Sequence, residues 1–401
     1  MTTDPSAAPL ADAPALDAAD PLAAYRELFV RDETVTAYLD GNSLGRPLAA
    51  SVDRVRDFMV GQWGGRLIRG WDEGWLELGQ TIGDDLGRVA LGAAPGQTTI
   101  GDSTTVLLYK LVRAAVDARP ERSELVIDRD NFPTDRYVLE GIAAERGLTV
   151  RWIDAGDPTP EALAAVLSTD TALVVLSAVS YRSGYLADVA ALTALAHDAG
   201  ALILWDLCHS AGVVPTELDA WGVDLAVGCT YKYLNGGPGS PAFAYVAERH
   251  QRMRQPIQGW LGSADPFAMG QGYEPADGIR GFTSGTPPIV GMLAMRDMIA
   301  LIDSVGIDAV RAKSVALTEY AVALVDELLP AARLASPRDP DRRGSHVTID
   351  DDRFEALMPR LWERGVIPDF RRPNGIRLGL SPLSTGFAEL RHGVEAIAEL
   401  A

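Results

Sequence analysis

Short apolar runs alternate with amphipathic stretches through the middle of the chain. The runs that predict buried strands are Leu125–Asp128, Thr149–Ile153, Leu173–Ser177, Leu202–Trp205 and Asp224–Gly228. Apolar residues at helical spacing predict helices over Asp135–Arg146, Pro160–Leu167 and Asp188–Ala199. This alternation favours an α/β fold, a mostly parallel sheet with helices on both faces. Ligands of such sheets bind at the carboxyl ends of the strands.

The pattern changes on both sides of this region. The flanks predict helices over Pro21–Arg31, from about Pro47, from about Ile289, and over Ala312–Leu329, Asp352–Arg364 and Phe387–Leu400. They also predict extended segments at Tyr38–Leu39, Ser345–Ile349 and Ile376–Leu380. We therefore expect a loosely ordered tail (1–20), a segment packing with the small domain (21–60), a large domain (61–290) and a small α+β domain (291–401).

Composition narrows the class of protein. The 401 residues include 36 basic and 55 acidic side chains, a net charge of −19, which disfavours nucleic acid and anionic membrane surfaces as partners. The two cysteines, Cys208 and Cys229, have no metal-ligand or disulfide spacing, which fits a reducing compartment. The first twenty residues lack the basic start and apolar core of a signal peptide. A cytoplasmic protein without a metal site is expected.

One lysine stands out, at the end of a buried run. Val227–Ser240 reads Val-Gly-Cys-Thr-Tyr-Lys-Tyr-Leu-Asn-Gly-Gly-Pro-Gly-Ser, with Lys232 between two tyrosines and ahead of a glycine-rich loop. Burial disfavours a charged amine, and a neutral amine is the form that attacks carbonyl groups to make imines. The alternative is a surface lysine on a turn. The residues around Lys232 distinguish these two interpretations, an imine-forming lysine and a surface lysine.

Other chemically capable residues follow strands or open helices. Asp206 ends the Leu202–Trp205 run, and His209 comes three residues later. Ser103-Thr104-Thr105 opens a helix, where backbone N–H groups and hydroxyls can bind a phosphate. A carboxylate and a lysine at neighbouring strand ends could hold a pyridine ring from two sides. Each residue also has an ordinary interpretation, as a helix cap, a turn residue or a satisfied buried histidine.

Seven stretches carry a family resemblance, in family order from about residue 22 to 400. They are 38–45 (YLDGNSLG), 130–135 (DNFPTD), 181–184 (YRSG), 205–212 (WDLCHSAG), 228–239 (GCTYKYLNGGPG), 259–262 (GWLG) and 342–346 (RRGSH). Through them the chain resembles the kynureninases, which are fold-type I pyridoxal-phosphate enzymes. The resemblance implies pyridoxal 5′-phosphate as cofactor. It also implies a large domain with a mainly parallel seven-stranded sheet flanked by helices, plus a smaller α+β domain.

The resemblance also implies residue roles. Lys232 would carry the cofactor and act as base, Asp206 would pair with the pyridine nitrogen, and Tyr231 would donate a proton. Further cofactor contacts implied are Thr104, Thr105, Phe132, Pro133, Thr134, Asp135, Ser177, His209, Trp260 and Thr286, with Phe132 stacking on the ring. Arg377 would clamp the substrate α-carboxylate, and Asn42, Ser43 and Trp71 would complete the substrate site.

The implied reaction is hydrolytic Cβ–Cγ cleavage of L-kynurenine to anthranilate and L-alanine, a step of tryptophan catabolism. Animal members prefer a 3-hydroxylated substrate; they carry an early-segment histidine and an asparagine where Thr286 stands here. Residues 61–79 offer Trp71 and no histidine, which favours unsubstituted L-kynurenine. A homodimer is implied, with an active site at the subunit interface and Trp260 and Thr286 reaching across it. The alternatives are another enzyme of this fold, an aminotransferase or cysteine desulfurase, and a non-catalytic relative.

Overall fold

A computed structural model describes residues 10–154 and 156–401. Its strands are β1 (Ala37–Leu39), β2 (Thr98–Ile100), β3 (Glu124–Asp128), β4 (Thr149–Ile153), β5 (Thr171–Ser177), β6 (Leu202–Asp206), β7 (Leu225–Gly228), β8 (Phe243–Val246), β9 (Arg333–Leu334), β10 (His346–Asp350), β11 (Val366–Arg371) and β12 (Gly375–Gly379). Its α-helices are α1 (Ala13–Ala19), α2 (Ala49–Asp57), α3 (Gly64–Arg66), α4 (Leu78–Leu86), α5 (Thr104–Asp117), α6 (Pro133–Arg146), α7 (Pro160–Ala164), α8 (Val189–Asp198), α9 (Leu293–Val305), α10 (Ile307–Leu328), α11 (Phe354–Glu363) and α12 (Phe387–Leu400).

Seven strands form the larger sheet, in the order β2-β8-β7-β6-β5-β3-β4. The strands from β7 to β4 pair in parallel, while β8 runs antiparallel to both β7 and β2. The prediction of a mainly parallel seven-stranded sheet is therefore confirmed. Ser177 and Asp206 are direct partners at the ends of β5 and β6, so the parallel register brings two polar side chains to one edge of the sheet.

The strands of this sheet are apolar along their whole length because both faces are covered. In β5, Val174 and Leu176 belong to one apolar cluster, and Leu173 and Val175 belong to the cluster on the opposite face. Helix α8 supplies Leu192 to the first cluster, and α5 supplies Leu108 and Leu111 to the second. This packing fixes the strand ends rigidly and leaves their carboxyl edge free for polar side chains.

A second sheet has the order β1-β11-β12-β10-β9. Strand β1, from the N-terminal segment, pairs in parallel with β11, so residues 37–39 are part of the C-terminal sheet. Helices α10, α11 and α12 cover this sheet with a third apolar cluster. Helix α9 instead places Met295, Ile299 and Ile302 in a cluster of the larger sheet. The domain boundaries drawn from the sequence stay a prediction.

The described part of the N-terminal tail departs from expectation. Residues 13–19 form α1, whose Ala13 is fully buried, and the Asp17 carboxylate accepts hydrogen bonds from the N–H groups of Phe387 and Ala388 at the start of α12. The expectation of a loose tail was wrong for α1. An acidic side chain stabilises a helix N-terminus, so the contact of Asp17 with the start of α12 attaches α1 to that helix. Residues 1–9 lie outside the described residues. The helix expected over Pro21–Arg31 is a short 3-10 turn at Ala23–Leu28.

No α-helix within residues 10–154 and 156–401 is both long and apolar enough to cross a membrane.

Candidate active site

A cavity of about 560 Å³ opens at the carboxyl edge of the larger sheet. Its wall comes from the residues that follow β5, β6 and β7, from the start of α5, and from the 282–288 loop. Of the residues named from the sequence, those lining it are Thr104, Thr105, Phe132, Thr134, Asp135, Ser177, Asp206, His209, Tyr231, Lys232 and Thr286. The structure therefore brings together side chains spread over more than 180 positions of sequence.

Lys232 is buried at this cavity, and a short hydrogen-bonded loop fixes its position. The Lys232 Nζ lies 2.9 Å from Nε2 of His209. Behind it, the Thr230 hydroxyl donates to the carbonyl of Pro241 at 2.6 Å, and the Gly236 N–H donates to the Thr230 carbonyl at 2.8 Å. Burial, followed by the positive charge of Lys232, lowers the pKa of His209 well below its ordinary value. A neutral imidazole therefore lies beside the lysine amine.

The Asp40–Gly45 turn packs directly on this loop. The Gly45 N–H donates to the Tyr231 carbonyl at 2.9 Å. A Cβ at Gly45 would come within 2.4 Å of the Lys232 carbonyl oxygen, so this close approach requires glycine. This turn, part of the 38–45 stretch, therefore supports the loop that carries Lys232.

Two carboxyl groups are buried side by side at the edge of the sheet. Asp206 and Asp135 are 6 % and 1 % exposed. Burial and the charge of Asp206, which is also its hydrogen-bond partner, raise the pKa of Asp135 well above its ordinary value. Like charges this close disfavour a second ionisation. Asp135 is thus the protonated member, able to donate to Asp206, while the Cys208 N–H donates to Asp206 Oδ1 at 2.6 Å.

Phe132 is held over the cavity by a polar network that the sequence alone did not single out. The side-chain oxygen of Asn131 accepts from the Phe132 N–H at 2.7 Å and from the Ser177 hydroxyl at 3.0 Å. The Asn131 amide in turn donates to Asp128 Oδ2 at 2.8 Å. Phe132 also contacts Tyr181 edge to face, with ring centroids 5.3 Å apart. The network fixes both the aromatic ring and the Ser177 hydroxyl.

This network makes stability depend on pH. Burial raises the pKa of Asp128 to about 7, above its ordinary 3.8. Between these values Asp128 ionises in the unfolded chain but not in the folded chain, so the native state loses stability as pH rises through this window.

We expect Asp128→Asn to remove this loss of stability. Its free energy of unfolding, measured in urea, should match wild type near pH 4 and exceed it above pH 7 by about 4 kcal/mol at most.

The matched control for that measurement is Asp130→Asn, which makes the same charge change at an exposed neighbour. The charge of Asp130 contributes less than burial to the raised pKa of Asp128, so the difference of this variant from wild type should vary much less with pH. An Asp128→Asn difference that is equally flat from pH 4 to 8 would show that Asp128 ionises normally in the folded protein.

The helix start on the other side of the cavity is suited to an anion. Ser103 caps α5, accepting from the Val106 N–H at 3.4 Å, and Thr104 and Thr105 form the first turn. The Lys110 amine, 1 % exposed, donates to Asp102 at 2.7 Å and to the Phe282 carbonyl at 2.8 Å. This buried contact ties α5 to the loop that carries Thr286. Backbone N–H groups and hydroxyls here can bind a phosphate.

Arg377 lies on β12, buried and fixed by three groups. Its guanidinium donates to Asp369 Oδ2 and the Tyr181 carbonyl, each at 2.5 Å, and to the Ser43 hydroxyl at 2.9 Å. Tyr181 lines the cavity, so the arginine lies just behind the cavity wall. Asn42 is fully buried, and neither polar atom of its side chain has a partner among the described residues. Arg377 therefore contacts Ser43, which Asn42 precedes in the chain, and a role of these three residues in substrate binding stays a prediction.

Besides Arg377, Ser43 and Asn42, three residues named from the sequence do not line the cavity. Trp71 packs edge to face on Trp75, with centroids 5.3 Å apart, and Trp260 packs on Phe267 at 6.0 Å. Pro133 is the first residue of α6, a position that suits proline because its missing N–H has no helical partner. Contacts of Trp260 or Thr286 with another subunit stay a prediction. Thr286 lines the cavity of its own chain.

The described residues contain no cluster of three or more side chains able to hold a metal ion.

Similar folds occur among solved structures. A cysteine desulfurase from Thermococcus onnurineus superimposes with a TM-score of 0.78 over 91 % of this chain and 94 % of that one, at 18 % identity. A cysteine desulfurase from Escherichia coli gives 0.77 over 94 % and 98 %, at 17 % identity. At this identity the likeness establishes the fold and no more.

The sequence of this chain matches two family models and several relatives. A family model for a Cys/Met metabolism PLP-dependent enzyme matches residues 91–275, and one for the kynureninase C-terminal domain matches 310–397. The kynureninase of Pseudomonas fluorescens is 41 % identical over 97 % of this chain and 94 % of its own length. That of Burkholderia pseudomallei strain K96243 is 42 % identical over the same shares. Because relatives at 41 % and 42 % identity match 97 % of its length, this chain belongs to the kynureninase family of pyridoxal-phosphate enzymes.

Proposed function

We propose that this protein hydrolyses L-kynurenine to anthranilate and L-alanine. The observation that carries the proposal is the pairing of a lysine-centred cofactor cavity with a buried arginine behind its wall. Lys232 and Asp206 suit the cofactor, and Arg377 suits an amino-acid carboxylate. The relatives that match nearly the whole chain are also named kynureninase. A cytoplasmic location stays a prediction of the sequence.

The cavity fits pyridoxal phosphate on its own geometry. A buried amine, Lys232, and a buried carboxylate, Asp206, follow adjacent strands, while the hydroxyl-rich start of α5 lies across the cavity. Two buried atoms, Asp135 Oδ2 and His209 Nδ1, have no hydrogen-bond partner among the described residues. Polar atoms buried this deeply usually bind something. Lys232 would hold the aldehyde carbon, Asp206 the ring nitrogen, and Thr104 and Thr105 the phosphate.

When bound, pyridoxal phosphate supplies an electrophilic carbon and an electron-withdrawing ring. The Lys232 amine, once freed by substrate, would take the proton from the substrate α-carbon at Nζ. Asp206 would keep its carboxylate against the ring nitrogen, with protonated Asp135 donating to it. Burial raises the pKa of Tyr231, so its hydroxyl stays protonated and can donate in the cleavage half-reaction. Phe132 would cover one ring face and exclude water from it.

Arg377→Ala should raise KM for L-kynurenine by about 10²-fold with little change in kcat. The reason is the loss of a charge-assisted, two-point contact with the substrate carboxylate, worth about 2–3 kcal/mol. Steady-state kinetics measures both constants. Arg371→Ala is the matched control. Arg371 also donates to Asp369, but its hydrogen bond to the Ser43 hydroxyl is long, at 3.5 Å. An unchanged KM in Arg377→Ala would assign the carboxylate to another group.

The substrate preference is part of the proposal. The cavity wall carries Thr286 where animal relatives carry an asparagine, and residues 61–79 contain no histidine. A 3-hydroxyl group would therefore lack those two partners, and an unpaired polar group costs binding energy. We expect kcat/KM for L-kynurenine to exceed that for 3-hydroxy-L-kynurenine by at least about tenfold. Both substrates are assayed in parallel by the fluorescence of the released aromatic acid. An equal or reversed preference would contradict this part of the proposal.

The desulfurase alternative lacks its nucleophile. Such an enzyme needs a cysteine on a mobile loop, whereas both cysteines of this chain are buried at strand ends. An aminotransferase would share the cavity and is separated by its products.

A homodimer is the proposed assembly. The segment 59–68 exposes Met59, Val60, Trp63, Leu67 and Ile68, with Val60 and Ile68 about three-quarters exposed. A patch of this kind commonly marks a protein interface.

Wild type should have twice the 42.8 kDa chain mass by light scattering. Val60→Asp with Ile68→Asp should shift it to monomer and lower activity, whereas Trp362→Asp, at an exposed position of α11, should not. A wild-type monomer would contradict the proposal.

A further inference from the structure

The two cysteines of the chain lie next to each other in space, against the cofactor cavity. Cys208 follows β6 and Cys229 follows β7, each two residues beyond the register pair Asp206 and Val227. The backbone stays paired past that point, since the Leu207 N–H donates to the Val227 carbonyl at 2.8 Å. Neighbouring strands are about 4.8 Å apart, and disulfides need Cα separations of about 4.4–6.8 Å. The two positions therefore fall within bridging distance.

The sulfur atoms themselves are engaged with the opposite residue. The Cys229 N–H donates to Cys208 Sγ at 3.2 Å, and the Cys229 thiol lies 3.8 Å from the Cys208 carbonyl oxygen. The neighbouring Cys229 side chain and burial raise the pKa of Cys208. Burial opposes ionisation of Cys229, yet the Cys208 side chain and the positive charge of Lys232 together lower the pKa of Cys229. Both are free thiols, and Cys208 lines the cavity. Cys208 is 9 % exposed.

The residues around this pair are those assigned to catalysis. The Cys208 N–H donates to Asp206 Oδ1, and Tyr231 and Lys232 come two and three residues after Cys229. A bond between the two sulfurs would therefore pull together the loops that carry Asp206 and Lys232. The Cβ–S–S–Cβ dihedral of a disulfide, near 90°, sets the positions of both loops.

We propose that Cys208 and Cys229 form an oxidation site: peroxide converts them to an intramolecular disulfide that switches the enzyme off. Peroxide oxidises one of the two cysteines through its thiolate, R–S⁻ + H₂O₂ giving R–SOH and hydroxide. The other thiol gives its proton to that hydroxide and attacks the oxidised sulfur, so the S–S bond forms and the sulfenic oxygen leaves as hydroxide, which takes up a proton from solvent. Two electrons pass from the sulfurs to the peroxide. A dithiol reductant reverses the modification.

The experiment treats the holoenzyme with a few equivalents of hydrogen peroxide and reads mass and activity together. We expect a loss of 2 Da, a peptide cross-linking 208 to 229, and at least a tenfold fall in turnover that dithiothreitol restores. Cofactor absorbance and free-thiol titration are measured in parallel, so the oxidation of the two cysteines is detected even if the substrate assignment is wrong.

Cys208→Ala and Cys229→Ala are the matched variants, each compared with its own untreated activity. Neither should show the 2 Da loss or a cross-link, and neither should show a tenfold fall that dithiothreitol restores. Wild-type thiols that stay reduced, a disulfide that leaves turnover intact, or an equal reversible inactivation in both variants would each overturn the proposal.

Discussion

Lys232→Ala should abolish both turnover and covalent attachment of pyridoxal phosphate. The lysine amine would anchor the cofactor and move the substrate's α-proton, and no other lysine lines the cavity wall formed by the described residues. Loss of a positioned base alone costs about 10²–10⁴-fold. We therefore expect kcat to fall by about 10⁴-fold or more. Borohydride treatment followed by mass spectrometry should find the cofactor fixed at residue 232 in wild type and at no position in the variant.

Lys232→Arg is the matched control for this result. It keeps a positive charge beside His209 yet cannot form the covalent link, because guanidinium stays protonated at all working pH values. It should be as inactive as Lys232→Ala. An active Lys232→Ala enzyme with bound, coloured cofactor would remove Lys232 from the proposed role.

Asp206→Asn should keep the cofactor and lose most of the rate, on the order of 10²–10³-fold in kcat. A neutral amide cannot stabilise a proton on the ring nitrogen, whereas a carboxylate can. The fold should be unaffected, because asparagine can still accept from the Cys208 N–H. Cofactor content by absorbance and kcat by steady-state assay measure the two effects separately.

The neighbouring carboxyl supplies the control. The raised pKa of Asp135 means that it is neutral before it is changed. Asp135→Asn replaces one neutral donor by another and should stay within about tenfold of wild type. If Asp206→Asn keeps wild-type rates, or if Asp135→Asn is the more damaged of the two, the assignment of the ionised partner is wrong.

Much of the larger sheet could be predicted because its strands are buried on both faces. The runs at β3, β5, β6 and β7 are continuous apolar stretches, and the predicted strand ends placed Ser177 and Asp206 at one edge. Strands β2 and β8 were not predicted, because they lie outside the strand–helix alternation that indicated the other strands of this sheet. They exist through pairing with each other and with β7.

The site was predictable where chemistry follows a strand end, and unpredictable where it depends on distant contacts. The Lys110 contact with the Phe282 carbonyl spans 172 residues, and the Arg377 contact with Ser43 spans 334. No local pattern encodes such contacts. Asn131 was quoted within a motif, yet its role in holding Phe132 and Ser177 required the folded chain.

The most direct test of the account is the stoichiometry of products from L-kynurenine. Purified holoenzyme, with no 2-oxo acid added, should release anthranilate and L-alanine in a 1:1 ratio over many turnovers, measured by fluorescence and amino-acid analysis. Loss of Lys232 should abolish both products together. Turnover that requires a 2-oxo acid acceptor, or that consumes L-kynurenine without releasing alanine, would contradict the proposed reaction.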